Sequence, residues 1–123
     1  MKEPECPFCN PDDILYENRY AYARYDKYPV NPGHILIIPK RHCFDWFHMT
    51  LFEKIACWLI VERVKRMLDK TRYPDGYNIG FNSDIHAGQT VYHAHIHVIP
   101  RYSGDTENPR GGIRKVIPEK ADY

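Results

Sequence analysis

An α+β domain, with an antiparallel sheet and one long helix laid on one face, is what this sequence predicts. Three observations carry that reading. Five short stretches have strand composition, the stretch from residue 50 to about residue 70 has helical periodicity, and most strands are joined by connections of hairpin length. The 123 residues suffice for one core and leave no room for a second, so residues 1–123 are expected to form a single domain.

Residues 1–13 read as a loop that carries Cys6 and Cys9. Residues 14–17 and 20–25 flank Asn18-Arg19 and form a hairpin. Two prolines and a glycine make residues 26–33 a loop, and the β-branched run HILIIP at 34–39 is a buried central strand. In the helix, Phe52, Ile55, Ala56, Leu59, Ile60, Val64, Met67 and Leu68 form an apolar stripe. Thr50 and Glu53 have capping-box spacing at its start, and Lys65, Arg66 and Lys70 complement the dipole near its end. Tyr73-Pro74-Asp75-Gly76 is a turn, residues 77–82 a strand, 83–89 a polar loop and 91–100 the last strand. The tail, residues 102–123, is rich in Gly, Pro and charge and is expected to be extended.

Composition narrows the function. Lys and Arg total 17 against 16 Asp and Glu, a formal charge of +1, which argues against a dedicated nucleic-acid binder but not against a pocket for a small anion. The longest apolar runs, residues 35–38 and 57–61, are far too short for a membrane span. The opening MKEPECPFCN has no apolar core, so a secretory leader is not expected and a cytoplasmic location is.

Reduced thiols are therefore expected at Cys6, Cys9, Cys43 and Cys57. Cys57 falls in the helical stripe and reads as core; Cys43 has no assignment. The Cys6-x-x-Cys9 pair is open to three readings: a metal knuckle, a redox pair, or coincidence. A tetrahedral zinc site would need two more ligands, and with no second CxxC they must be histidines.

The segment Tyr92-His93-Ala94-His95-Ile96-His97-Val98 places a histidine at every second position. On a strand the three imidazoles share one face at a spacing of roughly 6.7 Å, while Ala94, Ile96 and Val98 face a core. A solvated polar face is one reading. One ion shared by all three is another, though the outer pair lie about 13 Å apart, too far for a ligand distance near 2 Å. Acid–base and nucleophilic chemistry is the third, since imidazole serves as nucleophile, base and acid near neutral pH.

This segment resembles the signature of the histidine-triad (HIT) family. Asp26–His42 (DKYPVNPGHILIIPKRH) is similar to that family's upstream block, and GFNSDIHAGQTVYHAHIHVIPR at 80–101 to its downstream block. The amino-terminal CPFC and the closing NPRGGIRKVIP resemble those of short bacterial members. The resemblance implies a HIT-like fold: an antiparallel sheet of about five strands with one long helix plus a short helix. It also implies a nucleotidyl hydrolase or transferase that releases a nucleoside monophosphate, AMP by expectation, through a covalent nucleotidyl-histidine.

Carried over residue by residue, the resemblance makes His95 the nucleophile, with His97 and His34 beside it. Asp26 takes the ribose hydroxyls, Asn82 contacts substrate, and Gly88, Gln89, Thr90 and Val91, together with His97, take the phosphate. Phe8 and Ile35 are candidates for packing on the base. Cys6, Cys9, His42 and His93 become ligands of a closed, structural zinc, with His48 and His86 as rivals for the third position. The resemblance also implies a homodimer, which a half-exposed apolar helix would support.

Dinucleoside polyphosphates are the first substrate class. The alternatives are an adenosine 5'-phosphoramidate or nucleotidyl-amine hydrolase, a nucleotide-binding regulatory protein with incidental hydrolysis, and a metal-storage or redox module. A carboxy-terminal Trp found in some phosphoramidate-cleaving relatives has no counterpart here.

Overall fold

Strand patterning becomes one sheet in the computed structural model, which describes residues 2–122. Strands β1 (Tyr16–Glu17), β2 (Ala21–Tyr25), β3 (Ile35–Pro39), β4 (Gly76–Gly80) and β5 (Ile96–Arg101) lie in the order β1-β2-β3-β5-β4. Every neighbouring pair is antiparallel. Helix α1 (Leu51–Thr71) packs on one face, against β2, β3 and β5.

Alternation divides the side chains between the two faces. Ala21, Ala23, Ile35, Ile37, Ile96 and Val98 join the core beneath α1. Tyr22, Leu36 and Ile38 point the other way and form a smaller cluster with Phe8. The register aligns Arg24, Leu36, His97 and Gly80 in one row across four strands. The face opposite α1 therefore has an apolar floor flanked by histidine, and no long helix covers it.

The helix begins where its cap is expected. Thr50 Oγ1 accepts from Glu53 N at 3.2 Å, and Thr50 N donates to Glu53 Oε1 at 2.8 Å. Arg41 grips the same carboxylate with two bonds of 2.9 and 2.8 Å, which ties the chain after β3 to the helix start. The buried face differs from the predicted stripe. Ala56, Cys57, Ile60, Val61, Val64 and Leu68 are buried, whereas Phe52, Ile55 and Leu59 are exposed together with Leu51 and Trp58. Apolar residues occupy more of this helix than one sheet can cover, so helical periodicity alone merged two faces into one stripe.

Two more expectations change. The last strand starts at Ile96, not at residue 91. Continuing the β3–β5 register would set Ala94 opposite Pro39, which has no N–H to extend the ladder. Ala94 N bonds to Cys43 O instead, at 2.8 Å. The tail is not extended throughout; it holds 3-10 turns at Gly112–Val116 and Pro118–Lys120. Gly111, at φ +91°, makes this packing possible, because a Cβ there would collide with the carbonyl oxygen of Ala121. The other short helical elements are also 3-10 turns, at Trp46–His48 and Ile85–Ala87. Among the described residues no helix is long and apolar enough to cross a membrane.

Candidate functional site

The break in β5 sets the orientation of the first histidine. His93 is fully buried, and its Nε2 lies 2.7 Å from the carbonyl oxygen of Pro39. A carbonyl only accepts, so Nε2 carries the proton and Nδ1 keeps a lone pair. That lone pair faces Cys6 Sγ and Cys9 Sγ, each 3.4 Å away. His42, just beyond β3, brings its Nδ1 to 3.2 Å from Cys9 Sγ. The four donor atoms all lie within 4.8 Å of one another.

This set fits a zinc ion. Tetrahedral bonds of about 2.3 Å to sulfur and about 2.0 Å to nitrogen put S and N roughly 3.5 Å apart. The donors are two thiols and two imidazoles, and His93 is already in the tautomer a metal requires. Burial pushes the Cys9 thiol above its ordinary value, so a cation is what would allow it to ionise here. His48 and His86 lie elsewhere: His48 Nδ1 is 2.6 Å from Asp45 Oδ1, and His86 is exposed on its turn.

His95 is held by the chain itself. Its Nδ1 donates to His93 O at 2.8 Å, which leaves the Nε2 lone pair free on the other side of the ring. Phe8 packs edge-on against the ring at 5.0 Å between centroids. Burial lowers the His95 pKa below the ordinary imidazole value, so the neutral, nucleophilic form prevails at neutral pH.

His34 and His97 form a directed pair. Val30 N donates to His34 Nδ1 at 3.0 Å, which makes that nitrogen an acceptor and places the ring proton on Nε2. His34 Nε2 then donates to His97 Nδ1 at 2.9 Å. His97 is left with its Nε2–H as an outward donor. Burial and the neighbouring His95 and His34 lower the His97 pKa to about 4, so this donor is neutral. Asp26 sits at the edge of the pair, its Oδ2 3.4 Å from His34 Nε2 and its Oδ1 accepting from Tyr28 N at 2.9 Å.

A cavity of about 350 Å³ opens over this face. Of the residues expected from sequence, Asp26, Asn82, Gly88, Thr90, Val91, His95 and His97 line it, as does Phe8. Gln89, Ile35 and His34 do not; His34 is joined to it through its bond to His97. The Gln89 amide is buried within its own loop, donating to Phe44 O at 2.6 Å and Val91 O at 3.1 Å and accepting from Asp84 N at 2.8 Å. Its part is to shape the loop, with no donor left for a phosphate. Ile35 faces α1; Leu36, one residue on and on the opposite face, takes its place in the cavity.

Arg24 and Lys27 also reach this cavity, and no motif marked them. Arg24 is buried, with Asp12 Oδ1 3.5 Å from its Nη2. The signal was there: Arg24 shares the parity of Tyr22 on a strand whose alternate residues, Ala21 and Ala23, enter the core.

The HIT domain family matches residues 8–104. An uncharacterized HIT-like protein of Methanocaldococcus jannaschii is 38% identical over 118 residues, covering 91% of each chain. A bis(5'-adenosyl)-triphosphatase of Dictyostelium discoideum is 34% identical over 96 residues, and an AP-4-A phosphorylase of Mycobacterium tuberculosis 31% over 109. Those two matches cover 78% and 86% of this chain but only 64% and 55% of the relatives' own length. Among solved structures, a Zn-bound histidine triad family protein from Mycobacterium smegmatis superposes with a TM-score of 0.76 at 32% identity, covering 85% of this chain and 80% of that one.

Proposed function

Because the chain belongs to the HIT domain family, we propose that it cleaves nucleotides at the α-phosphate in two steps through a nucleotidyl group carried on His95. Family membership and the named relatives support nucleotide hydrolase or transferase activity. One observation carries the finer reading. The bond from His95 Nδ1 to His93 O aims a neutral Nε2 lone pair away from the backbone, on a ring that lines the cavity.

In the first step Nε2 attacks phosphorus. The bond to the leaving group breaks with its electron pair going to the departing atom, which takes a proton from solvent if it is nitrogen. His97, through Nε2–H, donates a hydrogen bond to the phosphoryl group and needs no charge of its own to do so. In the second step water attacks phosphorus, its oxygen stays in the product, its proton leaves to solvent, and the P–N electron pair returns to His95. Asp26 accepts from the ribose hydroxyls, and the loop at Gly88, Thr90 and Val91 surrounds the phosphate. Dinucleoside polyphosphates are the first substrate class and an adenine nucleoside monophosphate the product, on the support of the relatives named for such substrates.

Hydrolysis of diadenosine triphosphate in ¹⁸O-water tests this. One solvent oxygen should appear in AMP and none in ADP. Label in ADP would place the attack on the β-phosphorus and remove the proposal.

Cys6, Cys9, His42 and His93 would hold a structural zinc. The ion would take no part in the reaction; these residues would pin the amino-terminal loop and, with it, Phe8 against His95. The proposal includes a homodimer through the exposed α1 face of Leu51, Phe52, Ile55, Trp58 and Leu59. Sedimentation equilibrium should give twice the chain mass, and Ile55→Glu should return it to one; a wild-type monomer would reject the dimer.

A further inference from the structure

A second cavity, of about 300 Å³, shares His97 and Asn82 with the first and has His34 in its wall. It continues along the same face of the sheet, from His97 to Ile99 on β5 and from Gly80 to Asn78 on β4. The carboxy-terminal tail makes its far side. Ile113 Cδ1 reaches to 3.8 Å of where a Cβ on Gly80 would stand, and Gly80 pairs with His97 across the sheet. Val116 follows it on the same 3-10 turn, and Val30 completes the rim.

The lining has two properties. No residue in it is Asp, Glu, Lys or Arg. Arg101, bonded to Asn78 at the edge, is already paired with Asp105 through two bonds of 2.8 Å. Three apolar side chains at the rim stand open to solvent: Val30 at 67%, Ile113 at 62% and Val116 at 80%. An uncharged cavity with exposed apolar walls, beside the histidines that face the breaking bond, suits an apolar group better than a chain of phosphates.

We infer that this second cavity is the subsite for an apolar moiety of the leaving group, with Ile113 and Val116 of the tail setting the preference. The inference rests on the reading of His95 as the attacking group, because that reading places the nucleotide in the first cavity and sends the leaving group past His97. An aromatic or aliphatic group of this kind comes either from the second base of a dinucleoside polyphosphate or from an organic amine on a nucleoside phosphoramidate.

Two substrate pairs separate these sources, each differing only in the apolar group. One is diadenosine tetraphosphate against its analogue whose second ribose carries no base; the other is the N-phenethyl derivative of adenosine 5'-phosphoramidate against the parent compound. The bulky member of at least one pair should have a kcat/KM about tenfold higher or more, and the pair that shows it identifies the source. Val116→Asp and Ile113→Asp, both at exposed positions, should each reduce that ratio about tenfold. Flat ratios in both pairs, or ratios that neither variant moves, overturn the inference. A variant that changes only the oligomeric mass overturns it too, and assigns those side chains to a second copy.

Dissociation constants on His95→Ala keep the two readings apart. Tighter binding of the bulky member, lost on adding Val116→Asp, supports the subsite whatever happens to turnover. Turnover that survives His95→Ala rejects the nucleophile without touching that measurement.

Discussion

His95→Ala is expected to reduce turnover by at least about a thousandfold while nucleotide binding persists. The ring is replaced by a methyl group, so no lone pair remains to attack phosphorus. Its neighbours lose little: His93 keeps its bond to Pro39, and His97 keeps its bond to His34. Acid-labile, base-stable label trapped on the wild-type chain should map to His95 and vanish in the variant. Label on His97 or His34 would move the role there. The pH profile supplies a second signature. The attacking form is neutral, so activity falls as pH falls through the His95 pKa. Burial lowers that pKa below the ordinary 6.5, and therefore the acid limb of kcat/KM should lie below pH 6.5. The neutral donor His97, with its pKa near 4, keeps its proton arrangement across the same range. An acid limb centred at or above pH 6.5 would contradict the buried, neutral nucleophile.

The second large effect is expected at the zinc ligands. Cys9→Ser should remove one zinc per chain and lower thermal stability by roughly 3 kcal/mol, on the order of 10 °C in Tm. Residues 2–13 contain no strand or α-helix and depend on a few anchors. Tyr22 Oη bonded to Phe8 O at 2.5 Å is one, the Cys6/Cys9 cluster is another, and Asp12 beside Arg24 and Lys27 is a third. Loss of the ion should loosen Phe8 from His95 and raise KM more than it lowers kcat. Chelation of the wild type should reproduce the variant. Cys43→Ser, at a buried thiol outside the cluster, should leave the zinc content unchanged. Zinc retained at full stoichiometry in both Cys6→Ser and Cys9→Ser would refute the ligand set.

Local patterning carried most of the architecture. The β-branched run HILIIP and the Thr50–Glu53 cap each act within a few residues, so their outcome is written where they stand. The spacing of His93, His95 and His97 likewise marked the candidate site, where His95 and His97 line the cavity and His93 joins the cysteine cluster. Parity errors came where a neighbour decides the face. Ile35 and Leu36 are equally apolar, and only the position of α1 separates them. Gln89 has the composition of a phosphate donor, yet Phe44, 45 positions earlier, takes its amide.

By itself, then, the order of residues determined the five strands, the capped helix and the identity of the histidines, because propensity and periodicity are short-range forces. Which ring nitrogen carries each proton was settled by the folded chain, since His93, His95 and His34 take their tautomers from Pro39 O, His93 O and Val30 N. The fold also settled that four residues as distant as Cys6 and His93 converge, and that the tail returns to stand over Gly80 beside His97. Those outcomes depend on contacts between parts of the chain far apart in sequence, and they exist only once burial of the core has brought the parts together.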